Sequence, residues 1–112
     1  MKIYKILLPS EWHFLKETGQ TSGAPIDVSD GYIHFSTAEQ VCETAFKHFT
    51  KVPDLEVLIC DSNAMRDDIK WETSRGGALF PHLYRNLMMS DVEWHTTVKL
   101  GAQGHVFPDM IP

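Results

Sequence analysis

Residues 55–61, Leu-Glu-Val-Leu-Ile-Cys-Asp, confine the fold more than any other stretch of the chain. A short run so rich in Leu, Val and Ile suits a central strand, which needs partners on both edges and cover on both faces. Flanking strands must come from elsewhere in the sequence. Residues 2–8 alternate Ile3, Lys5 and Leu7 against Tyr4, Ile6 and Leu8 and stop at Pro9, where a strand loses a donor. Residues 69–73 set Ile69 and Trp71 against Lys70 and Glu72. Residues 92–100 set Val92, Trp94, Thr96, Val98 and Leu100 against Glu93, His95, Thr97 and Lys99. Both read as half-exposed strands with Trp71 and Trp94 on the core side. A last short strand is expected near residues 105–107.

The clearest helix follows Thr37. Ala38, Val41, Cys42, Ala45, Phe46 and Phe49 fall at helical spacing and form one apolar stripe. Ser36 with Glu39, or Thr37 with Gln40, can close a capping box at its start. A shorter helix, capped by Ser10, is expected to run to about Thr18 and end at Gly19, with Trp12 and Leu15 facing inward. Residues 20–29 are turn-rich and read as a loop. From Asp30-Gly31 onward the chain is extended, with Tyr32, His34 and Ser36 on one side and Ile33 and Phe35 on the other. The order of elements lacks the repeated βαβ alternation of a doubly wound sheet, so the fold class is α+β.

Composition narrows the function. The 112 residues read as one domain, 1–112, with 43% apolar and 22% charged side chains. Ten Lys and Arg against fifteen Asp and Glu leave a net charge of −5, which argues against broad nucleic-acid binding. No run approaches the roughly 20 apolar residues of a membrane span. The N-terminus lacks a signal-peptide core, and Cys42 and Cys60, in apolar contexts, read as buried free thiols. A cytoplasmic protein that makes no membrane contact is expected.

The charge is unevenly placed. All three arginines, Arg66, Arg75 and Arg85, lie in residues 66–85, a segment of net +1 by sequence. Ser74-Arg75-Gly76-Gly77 can bring backbone and a guanidinium to a compact anion such as a nucleotide pyrophosphate. A solvated flexible loop is the competing reading. His34 shares its strand side with Ser36, and His82 shares a side with Tyr84 in Phe80-Pro81-His82-Leu83-Tyr84. His34, Glu72 and His82 have the ligand types of a two-histidine, one-carboxylate metal site, although no HExxH or paired-histidine helical spacing accompanies them. A structural role for His34 is equally consistent with the residues alone. Templates for a Gly-x-Ser-x-Gly hydrolase, a phosphate loop and a GxGxxG dinucleotide fingerprint are absent.

Three segments, residues 30–40 (Asp-Gly-Tyr-Ile-His-Phe-Ser-Thr-Ala-Glu-Gln), 69–77 (Ile-Lys-Trp-Glu-Thr-Ser-Arg-Gly-Gly) and 80–85 (Phe-Pro-His-Leu-Tyr-Arg), resemble the motifs of a small bacterial family catalogued as a domain of unknown function. That family is grouped by fold with ADP-ribosyltransferase-like proteins, a class that includes the NAD-dependent RNA 2′-phosphotransferases. The resemblance implies a split antiparallel or mixed sheet with two helices and a cleft for NAD, used as a substrate and not as a resident cofactor. His34-Phe35-Ser36 is similar to the motif that holds the nicotinamide ribose. In the reading built on it, Thr37 joins the substrate-binding residues, Arg75 meets phosphate, and His82 and Tyr84 line the pocket. Glu72 or Glu93 supplies the carboxylate that stabilises charge at the reacting sugar, with Glu72 in the motif segment. The expected function is binding of NAD or a related ADP-ribose nucleotide, with ADP-ribosyl transfer or cleavage at the nicotinamide-ribose bond. The alternatives are a noncatalytic module binding a small anion or a protein partner, and a metal-dependent hydrolase built on His34, Glu72 and His82.

Overall fold

In a computed structural model that describes residues 1–108, the apolar run becomes β5 (Asp54–Asp61), the middle strand of a five-stranded sheet. On one edge it pairs antiparallel with β1 (Lys2–Leu7), with Ile3 opposite Cys60 and Ile6 opposite Val57. On the other edge it pairs with β9 (Trp94–Gly101), with Leu55 opposite Val98. The outer strands are β10 (Gly104–Val106), paired with β9, and β4 (Ser36–Thr37), paired with β1. A second sheet has the order β3 (Ile33–His34), β7 (Leu79–Leu83), β6 (Ile69–Thr73), and a two-stranded ribbon joins β2 (Gln20–Thr21) to β8 (Leu87–Met88). Every strand pairing among the described residues is antiparallel, so the mixed alternative is not realised.

Alternation in β1 and β5 divides the core in two. Ile3, Leu7, Leu58 and Cys60 pack with Trp12 and Leu15 of α1 (Pro9–Thr18) and with Ile33, Phe35 and Leu83 of the second sheet region. Tyr4, Ile6, Leu55, Val57 and Ile59 pack on the opposite face against Val41 and Ala45 of α3 (Ala38–His48). The central strand is thus covered on both faces. No helix among the described residues is long and apolar enough to cross a membrane.

Several local expectations change. The first helix begins one residue before Ser10, with Pro9 at its first position and the Glu11 carboxylate accepting the Leu8 N–H at 2.8 Å. Proline presets the helical φ there, so no hydroxyl cap is needed. At the start of α3, Gln40 accepts the Thr37 N–H at 3.0 Å, so the Thr37 box forms, and Ser36 turns instead to Thr44. The buried stripe of α3 is narrower than its sequence: Val41 and Ala45 are buried, whereas Cys42 and Phe46 are exposed. Of the two thiols only Cys60 is buried, and burial is the main cause that raises its pKa to about 12. Trp71 and Trp94 are 40% and 41% exposed, and the buried tryptophan is Trp12. β6 forms the rim of the three-stranded sheet, and of its residues only Ile69 reaches the core.

The largest change is in residues 20–29. They contain β2 and all but the last residue of a six-residue helix, α2 (Pro25–Asp30), which makes three helices rather than two. Pro25 opens α2, Asp27 binds the Ala24 N–H at 2.7 Å, and Gly31 closes it in the left-handed region at φ 86°.

Core truncation should separate the two faces of this fold from its rim. Leu58→Ala, at a fully buried central position, is expected to lower stability by about 3 kcal/mol. Trp71→Ala should lower it by about 1 kcal/mol or less, as half-exposed positions do. Urea unfolding measures both, and a larger loss at Trp71 would contradict the packing described.

Candidate functional site

The segment after Gly31 bridges the two sheets. Ile33 and His34 pair with Leu83 and His82 of β7, then Ser36 and Thr37 pair with Tyr4 and Ile3 of β1. Phe35, between the two pairings, is buried, and its N–H binds the Pro81 carbonyl at 3.0 Å. With Phe35 turned into the core, His34 and Ser36 both face the junction between the sheets, where a cleft of about 620 Å³ opens. Tyr32, His34, Ser36, Ser74 and His82 line it together with residues of β1, α2 and α3.

Behind one wall stands a dry ion pair. The Asp27 carboxylate is 1% exposed and accepts four hydrogen bonds. Oδ2 receives Lys5 Nζ at 2.7 Å and the Ala24 N–H at 2.7 Å. Oδ1 receives the His34 backbone N–H at 3.1 Å and His34 Nδ1 at 2.6 Å. Burial alone would raise the Asp27 pKa. The His34 side-chain bond, the Lys5 charge and hydrogen bond, and the His34 backbone bond outweigh it and bring the carboxyl down to about 2. On the other side of the ring, His34 Nε2 lies 3.0 Å from Asp30 Oδ2. Each carboxylate accepts from the ring nitrogen it faces only when that nitrogen carries a proton.

A second histidine–carboxylate pair lies next to the first. His82, opposite His34 in the sheet register, places Nδ1 2.8 Å from Glu72 Oε1. Tyr84 donates its hydroxyl to the same oxygen at 2.6 Å. Glu72 is held below the usual carboxylate range by the Tyr84 hydrogen bond and then the His82 bond, while Tyr84 rises to about 12 through its bond to Glu72. Tyr32 ties the two pairs together. Its ring stacks on His82 at 4.2 Å, tilts against His34 at 4.7 Å, and lies 5.2 Å from Tyr84. Burial raises the Tyr32 pKa, with the charges of Asp30 and Glu72 adding to it, so the phenol keeps its proton at neutral pH.

Of the residues picked from the sequence, His34, Ser36 and His82 therefore share one cleft, and Glu72 and Tyr84 adjoin it through His82. Ser36 is hydrogen-bonded to Thr44 Oγ1 at 3.0 Å, and Thr44 in turn donates to the Gln40 carbonyl, so Ser36 is the donor and its lone pairs stay free to accept. Thr37 is not on the cleft wall, because capping α3 and pairing with β1 use its backbone. Glu93 is exposed, ion-paired with Lys2, and not part of the cluster. Of the two open carboxylates, Glu72 is the one the fold brings to the histidines. The Arg75 side chain lies outside what the structure describes; its backbone forms a tight turn with Gly76 at φ 71°, next to Ser74 on the cleft wall. Arg85 is committed elsewhere, to Asp68 at 2.9 Å and in a two-pronged contact to Asp91 at 2.8 and 3.0 Å. Lys5, Asp27 and Asp30 are functional neighbours that no chemical motif or spacing in the sequence singles out. Pro25 and Gly31, bracketing an acid at the third helical position, were the available signal for Asp27.

Among the described residues no group of three or more His, Cys, Asp or Glu side chains is arranged to hold a metal ion. His34 and His82 instead turn Nδ1 to separate carboxylates.

The fold and its cleft define a small α+β domain carrying a paired histidine–carboxylate cluster. The model of a family described as a protein of unknown function, DUF952, matches residues 6–95, and the chain belongs to that family. The crystal structure of protein CC0527 from Caulobacter crescentus is similar at 44% identity and a TM-score of 0.89, covering 94% of this chain and 92% of that one. The solution NMR structure of CC0527 is similar at 44% identity and a TM-score of 0.83, covering 93% and 90%. No curated protein matches the chain.

The depressed Asp27 carboxyl has a stability consequence. Its folded pKa lies below the unfolded value of 3.8, so the stabilisation is complete above about pH 4 and is lost as pH falls toward about 2. The difference corresponds to about 2 kcal/mol. Denaturant unfolding of wild type and Asp27→Asn across this range should show the stability gap narrowing as pH falls. A gap that stays constant would contradict the assignment.

Proposed function

We propose that the cleft binds NAD or a related ADP-ribose nucleotide by its nicotinamide riboside end and acts on the nicotinamide-ribose bond. The observation that carries this reading is the pairing of His34 with His82 across β3 and β7, with Tyr32 against both rings and Glu72 beside them. The resemblance to ADP-ribosyltransferase-like proteins implies ribose contact for His34 and a charge-stabilising carboxylate for which Glu72 is a candidate, and a cleft of about 620 Å³ is of the size that small-molecule sites occupy.

In this reading His34 and Ser36 hold the ribose, His34 through Nε2 once Asp30 yields it and Ser36 through its free lone pairs. Tyr32 offers an aromatic face to the cationic nicotinamide ring. When the bond between the sugar and nicotinamide breaks, its electron pair leaves with the ring, which becomes neutral, and positive charge develops on the ribosyl carbon. Glu72 is an anion at neutral pH with Oε1 fixed by His82 and Tyr84, and no described hydrogen bond reaches its other oxygen, so that oxygen can face the developing charge. An entering hydroxyl or water adds to the ribosyl carbon and gives its proton to Glu72 or solvent. The pyrophosphate would run toward Ser74 and the Arg75 turn.

Adding NAD or ADP-ribose to labelled protein should shift the amide resonances of residues 31–37 and 72–85. Nicotinamide release should fall at least about a hundredfold in Glu72→Gln, the loss expected for one preorganised charge-stabilising group, with NAD affinity nearly kept. Binding without release in the wild type would favour the noncatalytic module. No shift at millimolar nucleotide would overturn the assignment of the cleft.

A further inference from the structure

The ion pair behind the cleft has more order than wall support requires. Asp27 is the buried residue of α2, while Ile26 and Val28 beside it are 59% and 61% exposed. Each Asp27 oxygen has two donors, and those on Oδ1 both come from His34. Gly23 packs against the same carboxylate: a Cβ there would lie 2.3 Å from Asp27 Oδ2, and Gly23 sits at φ 96°. The loop before α2 is thus shaped around this group.

We propose that Asp27, anchored by Lys5, is a positioning residue that keeps the His34 proton on Nδ1 and presents Nε2 to the cleft. This rests on the reading of His34 as a ligand-contacting residue. An imidazole with one proton can place it on either nitrogen, and the choice follows the hydrogen bond that the other nitrogen makes. Asp27 and Asp30 each bind a ring nitrogen only as N–H, but Asp27 is dry and 2.6 Å away, whereas Asp30 is 38% exposed, 3.0 Å away and replaceable by water, so a single proton stays on Nδ1. Nε2 is then the nitrogen that meets a hydroxyl, and the Asp30 carboxylate now 3.0 Å away marks where that hydroxyl would lie. The groups facing the His34 ring are Asp27 and Asp30 from α2, with Tyr32 and, on β7, His82 beside it. Lys5 on β1 completes the set through Asp27.

Asp27→Asn makes the two arrangements distinguishable. The Lys5 ammonium and the Ala24 N–H keep the amide oxygen on their side, so the amide NH₂ faces Nδ1, which must accept, and the His34 backbone N–H loses its acceptor. The proton then moves to Nε2. Long-range proton–nitrogen correlation spectra at alkaline pH, assigned with His34→Gln, should show Nδ1–H in the wild type and Nε2–H in Asp27→Asn. A wild-type ring protonated on Nε2 overturns the proposal with no variant needed, as does a folded Asp27→Asn that keeps Nδ1–H. NAD serves as the ligand probe. Its dissociation constant should rise about tenfold in Asp27→Asn, the size of one neutral hydrogen bond. An unchanged constant beside a switched ring overturns the positioning role, whereas a wild type that shows the expected ring and binds no NAD overturns the nucleotide reading alone.

Discussion

The Lys5–Asp27 ion pair ties α2, which buries no apolar side chain, to two sheets that already share an apolar core. Lys5 belongs to β1 in the large sheet, while Asp27 belongs to α2 and through His34 reaches β3 of the small sheet. Both charges are nearly dry, at 5% and 1% exposure. Removing two charges from water is expensive, and their attraction offsets this only when the remaining lone pairs are filled as well. Here the Ala24 and His34 N–H groups and the His34 ring fill them. Loss of one partner would leave a bare buried charge, a change worth about 3–5 kcal/mol in general. The cleft wall depends on this, because α2 buries no apolar side chain.

That dependence explains what could be read in the sequence. β1, β5 and α3 announce themselves through apolar periodicity, since each is held by the surface it buries. α2 is six residues long and held by a carboxylate, so a search for apolar periods passes over it and reads a loop. The misplaced tryptophans have a related cause. Alternation in β6 and β9 shows that one face is more apolar, but not whether another element lies over it, and Trp71 and Trp94 fall where cover runs out. His34, Ser36, Glu72, His82 and Tyr84 were legible as a group because the three motif segments carry them. Their partners Lys5, Asp27 and Asp30 sit at positions whose roles only the tertiary structure reveals.

The charge distribution also changes meaning once folded. The arginine-containing segment of net +1 suggested a single anion-binding place. Arg85, however, neutralises Asp68 and Asp91, and the lysine at the cleft neutralises Asp27. The cleft itself carries Glu11 and Asp30 on its wall and Glu72 close behind. Its local field therefore suits a cationic or neutral ring, and the phosphates of a dinucleotide would have to lie outside it, toward the Ser74–Gly77 turn.

The two carboxylates differ in a way that divides their work. Asp27 is dry, bonded four times and held at a pKa of about 2, so it has neither the access nor the protonation range to exchange a proton near neutrality. It can only fix geometry. Glu72 is 39% exposed at its side chain, and among the described residues its partners His82 and Tyr84 both bind Oε1. Environments that separate two carboxylates in this manner assign them separate duties. Each histidine inherits the difference: His34 is held by the dry carboxylate and the buried His82 by the half-exposed one, with Tyr32 against both rings. On the proposed function, the chemistry falls to two atoms, His34 Nε2 and Glu72 Oε2, with the rest of the cluster holding them in place.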